Sequence, residues 1–136
     1  MSKTALIAIV DDDETIREAI DCLLRSHGLT TCTFASAEDF LGSHRSADAS
    51  CLISDIQMPG MSGLDLNRHL IDRGLHIPMI FISAFPAETV RIDERKAAAV
   101  RFLRKPFDAA SLMRCIDEIL ADPARAAAVG VDIGKD

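Results

Sequence analysis

Five short apolar runs recur along this chain, and the stretches between them carry apolar residues at helical spacing. That alternation is the strongest constraint on its fold. Residues 5–10, 29–34, 51–54, 79–83 and 100–103 read as strands. Ile16, Ala19, Ile20, Leu23 and Leu24 follow the spacing of one helix face, which Gly28 closes. Ser36 is placed to cap a short helix through Leu41. Residues 64–71 read as a third helix and 87–97 as a weaker fourth. Asp108 caps a last helix whose inner face is Leu112, Cys115, Ile116, Ile119 and Leu120. Strands joined through helices are parallel, because a parallel pair needs a crossover, and crossovers are right-handed. The pattern therefore predicts an α/β fold, a doubly wound five-stranded parallel sheet with five helices on its two faces. Apolar runs without alternation fit strands buried on both sides.

A chain of 136 residues hides roughly two-thirds of its unfolded surface, enough for one core without staples. Residues 4–122 form that single domain, and the Ala- and Gly-containing segment 123–136 after the last helix reads as a tail or linker. Fifteen Lys and Arg against 21 Asp and Glu give a net charge of −6. Such a balance disfavours sequence-independent nucleic-acid binding and anionic membrane surfaces, both of which need clustered cations. The first apolar run is too short to span a bilayer and ends in acids, so a cytoplasmic protein is expected. Cys22, Cys32, Cys51 and Cys115 show neither Cys-x-x-Cys spacing nor a matching histidine array, and read as reduced packing residues.

In an open α/β sheet, ligands bind outside the carboxyl ends of the strands. That rule selects Asp11, Asp12, Asp13 and Glu14 after the first strand, Asp55 after the third, Ser83 at the end of the fourth, and Lys105 with Pro106 after the fifth. Each has an ordinary explanation. Acids favour helix starts, Asp and Ser favour turns, and a lysine is usually solvated. Their coincidence on one rim is not what capping preferences generate. Clustered carboxylates repel unless they share a cation, and hard oxygen ligands suit Mg²⁺. A carboxylate beside Mg²⁺ can attack phosphorus to give an aspartyl phosphate. A lysine and a hydroxyl can then hold the phosphoryl oxygens.

The motifs I-V-D-D-D at 9–13, S-D-I-Q-M-P-G-M-S-G at 54–63, F-I-S-A at 81–84 and K-P-F at 105–107 resemble the receiver domain of two-component response regulators. The resemblance implies the flavodoxin-like strand order 2-1-3-4-5. It implies Asp55 as phosphoacceptor, with Asp11 and Asp12 as the family's acidic pair. Asp12 would ligate Mg²⁺ directly, together with Asp55 and the main-chain carbonyl of Gln57, and Asp11 would act through water. Ser83 matches the hydroxyl position, with Ala84 keeping the approach open, and Lys105 the phosphate-binding lysine ahead of a cis Pro106. Phe102 falls on the switch aromatic, although as a residue of the fifth strand it also reads as simple core. Implied partners are a sensor histidine kinase or phosphotransfer protein, and a downstream protein or second copy bound by the face of the fourth helix, fifth strand and fifth helix.

Four departures stand out. Ala98 replaces a frequent Gly, residues 88–96 carry few large apolar side chains, Phe102 lacks the hydroxyl of the commoner Tyr, and Phe85 sits where a polar residue is more usual. Two rival readings come from other classes. A Mg²⁺-dependent phosphohydrolase of the haloacid dehalogenase type also uses an Asp nucleophile, but needs a second acid where this chain has Gln57. A receiver-like interaction module that works without phosphorylation would rest only on the unusual 88–96 segment.

Overall fold

The computed structural model describes residues 5–83 and 100–121. In chain order these form β1 (Leu6–Val10), α1 (Glu14–Ser26), β2 (Thr30–Phe34), α2 (Ala37–Leu41), a 3₁₀ turn (Ser46–Asp48), β3 (Cys51–Asp55), α3 (Gly63–Asp72), β4 (Met79–Ser83), β5 (Val100–Arg104) and α4 (Ala109–Ala121). The strands make one parallel sheet in the order β2-β1-β3-β4-β5. Among the described residues there are four α-helices. The helix expected over 87–97 lies outside them, as do Ala84, Phe85, Ala98, residue 122 and the tail over 123–136.

Both faces of the sheet are covered, and successive residues of one strand serve opposite cores. Ala8, Val10, Leu52 and Phe81 meet Phe40 of α2 and Leu66 of α3 on one face. Ile7, Ile9, Ile53 and Ile80 meet Leu24 of α1 and Ile116 of α4 on the other. Each fully buried Leu, Ile or Phe contributes about 1.5–3 kcal/mol relative to exposure, which is why β1, β3 and β4 carry no alternation and are buried at every position. The outer strands depart from that expectation. Thr30 and Thr33 of β2 are exposed, and no residue of β5 is fully buried. A sheet edge has only one neighbouring strand, so its threonines can remain in water.

Helix starts follow their caps. Asp13 accepts from the Thr15 and Ile16 N–H groups at α1, and Ser36 accepts from Asp39 at α2. Ser62 and Asp65 form a reciprocal capping box at α3. Asp108 Oδ1 accepts from the Ser111 N–H at 2.8 Å to open α4. Gly28, at φ +82°, lies just past the end of α1. All four cysteines are free thiols. Cys51 is buried, and Cys32 and Cys115 half-buried, but Cys22 is exposed and is not a packing residue. It stands on α1 two positions past buried Ile20 and off that helix's apolar stripe.

Candidate functional site

The carboxyl ends of β1 and β3 are adjacent because those strands pair, and this alone brings Asp11 and Asp55 together. The backbone N–H of Asp11 donates to Phe34 O at 3.1 Å, extending the β1–β2 ladder by one residue. Its carbonyl accepts from Arg17 Nη1 at 2.7 Å. The side chain is drawn inward: Asp11 is 1% exposed, and its Oδ1 accepts from the Asp13 N–H at 2.8 Å. The other oxygen, Oδ2, is buried with no hydrogen-bond partner among the described residues. Burial pushes the Asp11 carboxyl above the usual range. The Asp13 N–H opposes this, the nearby Asp55 charge adds to it, Lys105 opposes it and Asp12 adds a little more.

Asp55 is the last residue of β3 and 8% exposed. Its Oδ1 accepts from the Gln57 N–H at 3.3 Å, and its Oδ2 pairs with Lys105 Nζ at 3.2 Å. Lys105 arrives there because its own N–H donates to Ser83 O at 2.7 Å, which fastens the end of β5 to the end of β4. The following Lys105–Pro106 bond is cis, as expected. Asp12 is exposed, and one carboxylate oxygen each from Asp11, Asp12 and Asp55 lie within 4.8 Å of one another. Ser83 is buried at the end of β4. Phe102 pairs across to Phe81, and their rings stack at 5.5 Å with an interplanar angle of 27°, so Phe102 packs toward the core.

The structure thus gathers Asp11, Asp12, Asp55 and Lys105 at one point and sets Gln57 and Ser83 beside them. Asp13 serves instead as the α1 cap. Three acids with one buried, unpartnered oxygen fit a hard divalent cation, since an isolated buried carboxylate is costly and a shared cation relieves it. Sequence reasoning missed three contributors. Ser54 Oγ donates to Asp55 O at 2.8 Å, and Arg17 holds the Asp11 carbonyl. Gly63, whose N–H donates to Ile56 O at 2.9 Å, lets α3 start against the end of β3. Ser54 and Gly63 left a signal, as the first and last residues of the 54–63 motif, and Arg17 left none.

A parallel sheet in the order 2-1-3-4-5 whose acidic rim is closed by a lysine defines the flavodoxin-like, receiver type of domain. The sequence matches the response regulator receiver domain model over residues 7–117, and the chain belongs to that family. It is 41% identical over 114 residues to the response regulator protein TodT of Pseudomonas putida, covering 84% of this chain and 50% of TodT. It is 32% identical over 138 residues to the transcriptional regulatory protein FixJ of Azorhizobium caulinodans, covering 99% of this chain and 65% of FixJ. Among solved structures, the response regulator StyR superposes with a TM-score of 0.79 at 36% identity, over 91% of this chain and 64% of StyR. The chain spans about half the length of TodT and less than two-thirds of FixJ. It is a receiver domain of two-component response regulators, and nothing favours the phosphohydrolase reading. Receiver domains generally bind Mg²⁺ at an acidic pocket and are phosphorylated by histidine kinases. No helix among the described residues is long and apolar enough to cross a membrane.

Proposed function

We propose that this chain is a phosphoacceptor in which Asp55 takes a phosphoryl group from a histidine kinase or phosphotransfer protein. A carboxylate oxygen of Asp55 bonds to phosphorus as the donor's nitrogen–phosphorus bond breaks, and the departing imidazole is left to take a proton from water. Asp12, Asp55 and the Gln57 carbonyl would hold Mg²⁺ directly, with Asp11 acting through water. The ion supplies positive charge to the phosphoryl oxygens when bound. Lys105 already sits 3.2 Å from Asp55 Oδ2, and its ammonium would follow the new negative charge outward. The Ser83 hydroxyl would donate to a phosphoryl oxygen.

Those new contacts would bias a two-state shift in which Phe102 changes its packing. The face altered would be that of β5 and α4, together with the helix expected over 87–97, which lies outside the described residues, and it would bind a downstream protein or a second copy of the chain. This acidic domain would touch neither nucleic acid nor membrane itself, and would work in the cytoplasm.

The Asp55–Lys105 pair inside the acidic trio carries this reading. An interaction module independent of phosphorylation would have no use for a buried, unpartnered Asp11 oxygen. Incubation with Mg²⁺ and acetyl phosphate should add the mass of one phosphoryl group, labile to base as an acyl phosphate is. Asp55→Asn should abolish the adduct. An Asn variant labelled as fully as the unsubstituted protein would show that another residue is the acceptor.

A further inference from the structure

The segment after Asp55 carries Gln57 and must hold its shape without secondary structure until α3 begins at Gly63. Its hydrogen bonds among the described residues are few. Gln57 N–H donates to Asp55, Ser62 N–H to Asp65 and Gly63 N–H to Ile56, all within the β3–α3 connection and its ends. Two come from elsewhere: Ile56 N–H donates to Ile82 O at 3.1 Å, which continues the β3–β4 ladder by one residue, and the other reaches the loop itself. Met61 N–H donates to Glu38 Oε2 at 3.2 Å, across 23 residues of sequence, from a side chain in the first turn of α2.

Gly60 is shaped to that contact in two ways. Its φ of +77° is one that side-chain-bearing residues rarely adopt, and it is this turn that precedes the donating Met61 N–H. A Cβ there would also stand 2.8 Å from Glu38 Oε2, where the carboxylate now lies. The exposed Glu38 carboxylate therefore lies in the space that a Cβ at Gly60 would crowd, with a backbone donor directed at it.

We infer that Glu38 is a positioning residue, which holds the 57–61 loop in the form that presents the Gln57 carbonyl to the cation. This rests on the phosphoacceptor reading above. Glu38 does not join the acidic trio. It acts through Met61, so it is the reach of its oxygen that matters and not its charge. Loss of one such hydrogen bond corresponds to roughly a two- to tenfold change in an equilibrium constant.

Three variants of the full chain separate reach from charge. Glu38→Ala removes the acceptor, Glu38→Asp keeps the charge but shortens the arm by a methylene, and Glu38→Gln keeps an oxygen acceptor at full reach without the charge. Mg²⁺ affinity is read by calorimetric titration, and hydrogen exchange of the Met61 amide is read by NMR without Mg²⁺. Melting temperature serves as the check on folding. Glu38→Ala and Glu38→Asp should bind Mg²⁺ roughly two- to tenfold more weakly and exchange the Met61 amide faster, with Glu38→Gln close to the unsubstituted protein in both. Equal Mg²⁺ affinity across all four proteins would overturn the inference. So would Glu38→Gln behaving as Glu38→Ala while Glu38→Asp stays normal, since that pattern reports charge. If the unsubstituted protein neither binds Mg²⁺ nor accepts phosphoryl from acetyl phosphate, the phosphoacceptor reading itself has failed, and Glu38's role falls with it.

Discussion

At Gly63 a missing side chain sets the site. A Cβ there would lie 2.4 Å from the Asp55 carbonyl oxygen and 3.0 Å from Ser54 Oγ. Because the first of these is backbone, relief requires moving Asp55, the residue proposed as acceptor. Gly63→Ala should cost about 1–3 kcal/mol by overpacking and also slow phosphorylation by acetyl phosphate. Urea unfolding and adduct formation in parallel would check this, and unchanged values in both would contradict it. Thiols divide just as sharply. Burial pushes the Cys51 thiol up to about 12, whereas Cys22 stands in water. Alkylation of the native protein should modify Cys22 first and leave Cys51 untouched until unfolding, as peptide mass mapping would show. At this scale the sequence was legible where chemistry names the residue, as with Asp55 and Lys105. It was not legible for Glu38, a solvent-facing acid whose partner is a backbone N–H distant in sequence, nor for which of Asp11 and Asp12 turns inward.

Strands and helices were read most surely where burial leaves no choice. β4 spans the expected residues 79–83, and β1 and β3 differ from expectation by one residue at one end. The apolar pattern overreached at β2, where threonine serves as an edge residue. Caps are the second legible signal, because a side-chain oxygen ahead of an apolar stripe has one common use. Asp108 shows the pH consequence at α4. Hydrogen bonds from the Ser111 hydroxyl and N–H hold its carboxyl below the ordinary value of 3.8. A lowered native value means that the cap stabilises fully above the unfolded value, and that this contribution disappears as pH falls through the native one. Thermal melts in acid should therefore show Asp108→Asn, which can still cap, losing less stability with falling pH than the unsubstituted protein. Asp108→Ala should be weaker already at neutral pH. Identical acid profiles for all three would remove the cap from the account of α4.

Across the whole molecule, the proposed ion binding would be linked to folding through Asp11. Its carboxyl is held above 3.8 chiefly by burial, so its contribution to the metal-free fold is fully present below that value and is lost as pH rises through the native one. Asp11→Asn should accordingly melt higher than the unsubstituted protein at neutral pH in the presence of a chelator. Excess Mg²⁺ should raise the unsubstituted protein's stability by RT ln(1 + [L]/Kd), about 2.7 kcal/mol at a hundredfold excess over Kd, with a smaller gain in the variant. An Asp11→Asn variant melting no higher than the unsubstituted protein under chelator would contradict the first statement, and equal melting temperatures with and without Mg²⁺ the second. The sheet itself treats the two sides of the site unequally. Asp11 and Asp55 ride on β1 and β3, central strands buried at every position, while Lys105 follows β5, an edge strand half-buried at best. Local opening is easiest where few buried contacts must be broken. On the proposed reading the carboxylates would form the fixed jaw of a clamp and the lysine its moving one, so that a change of charge between them would be taken up on the β5 side.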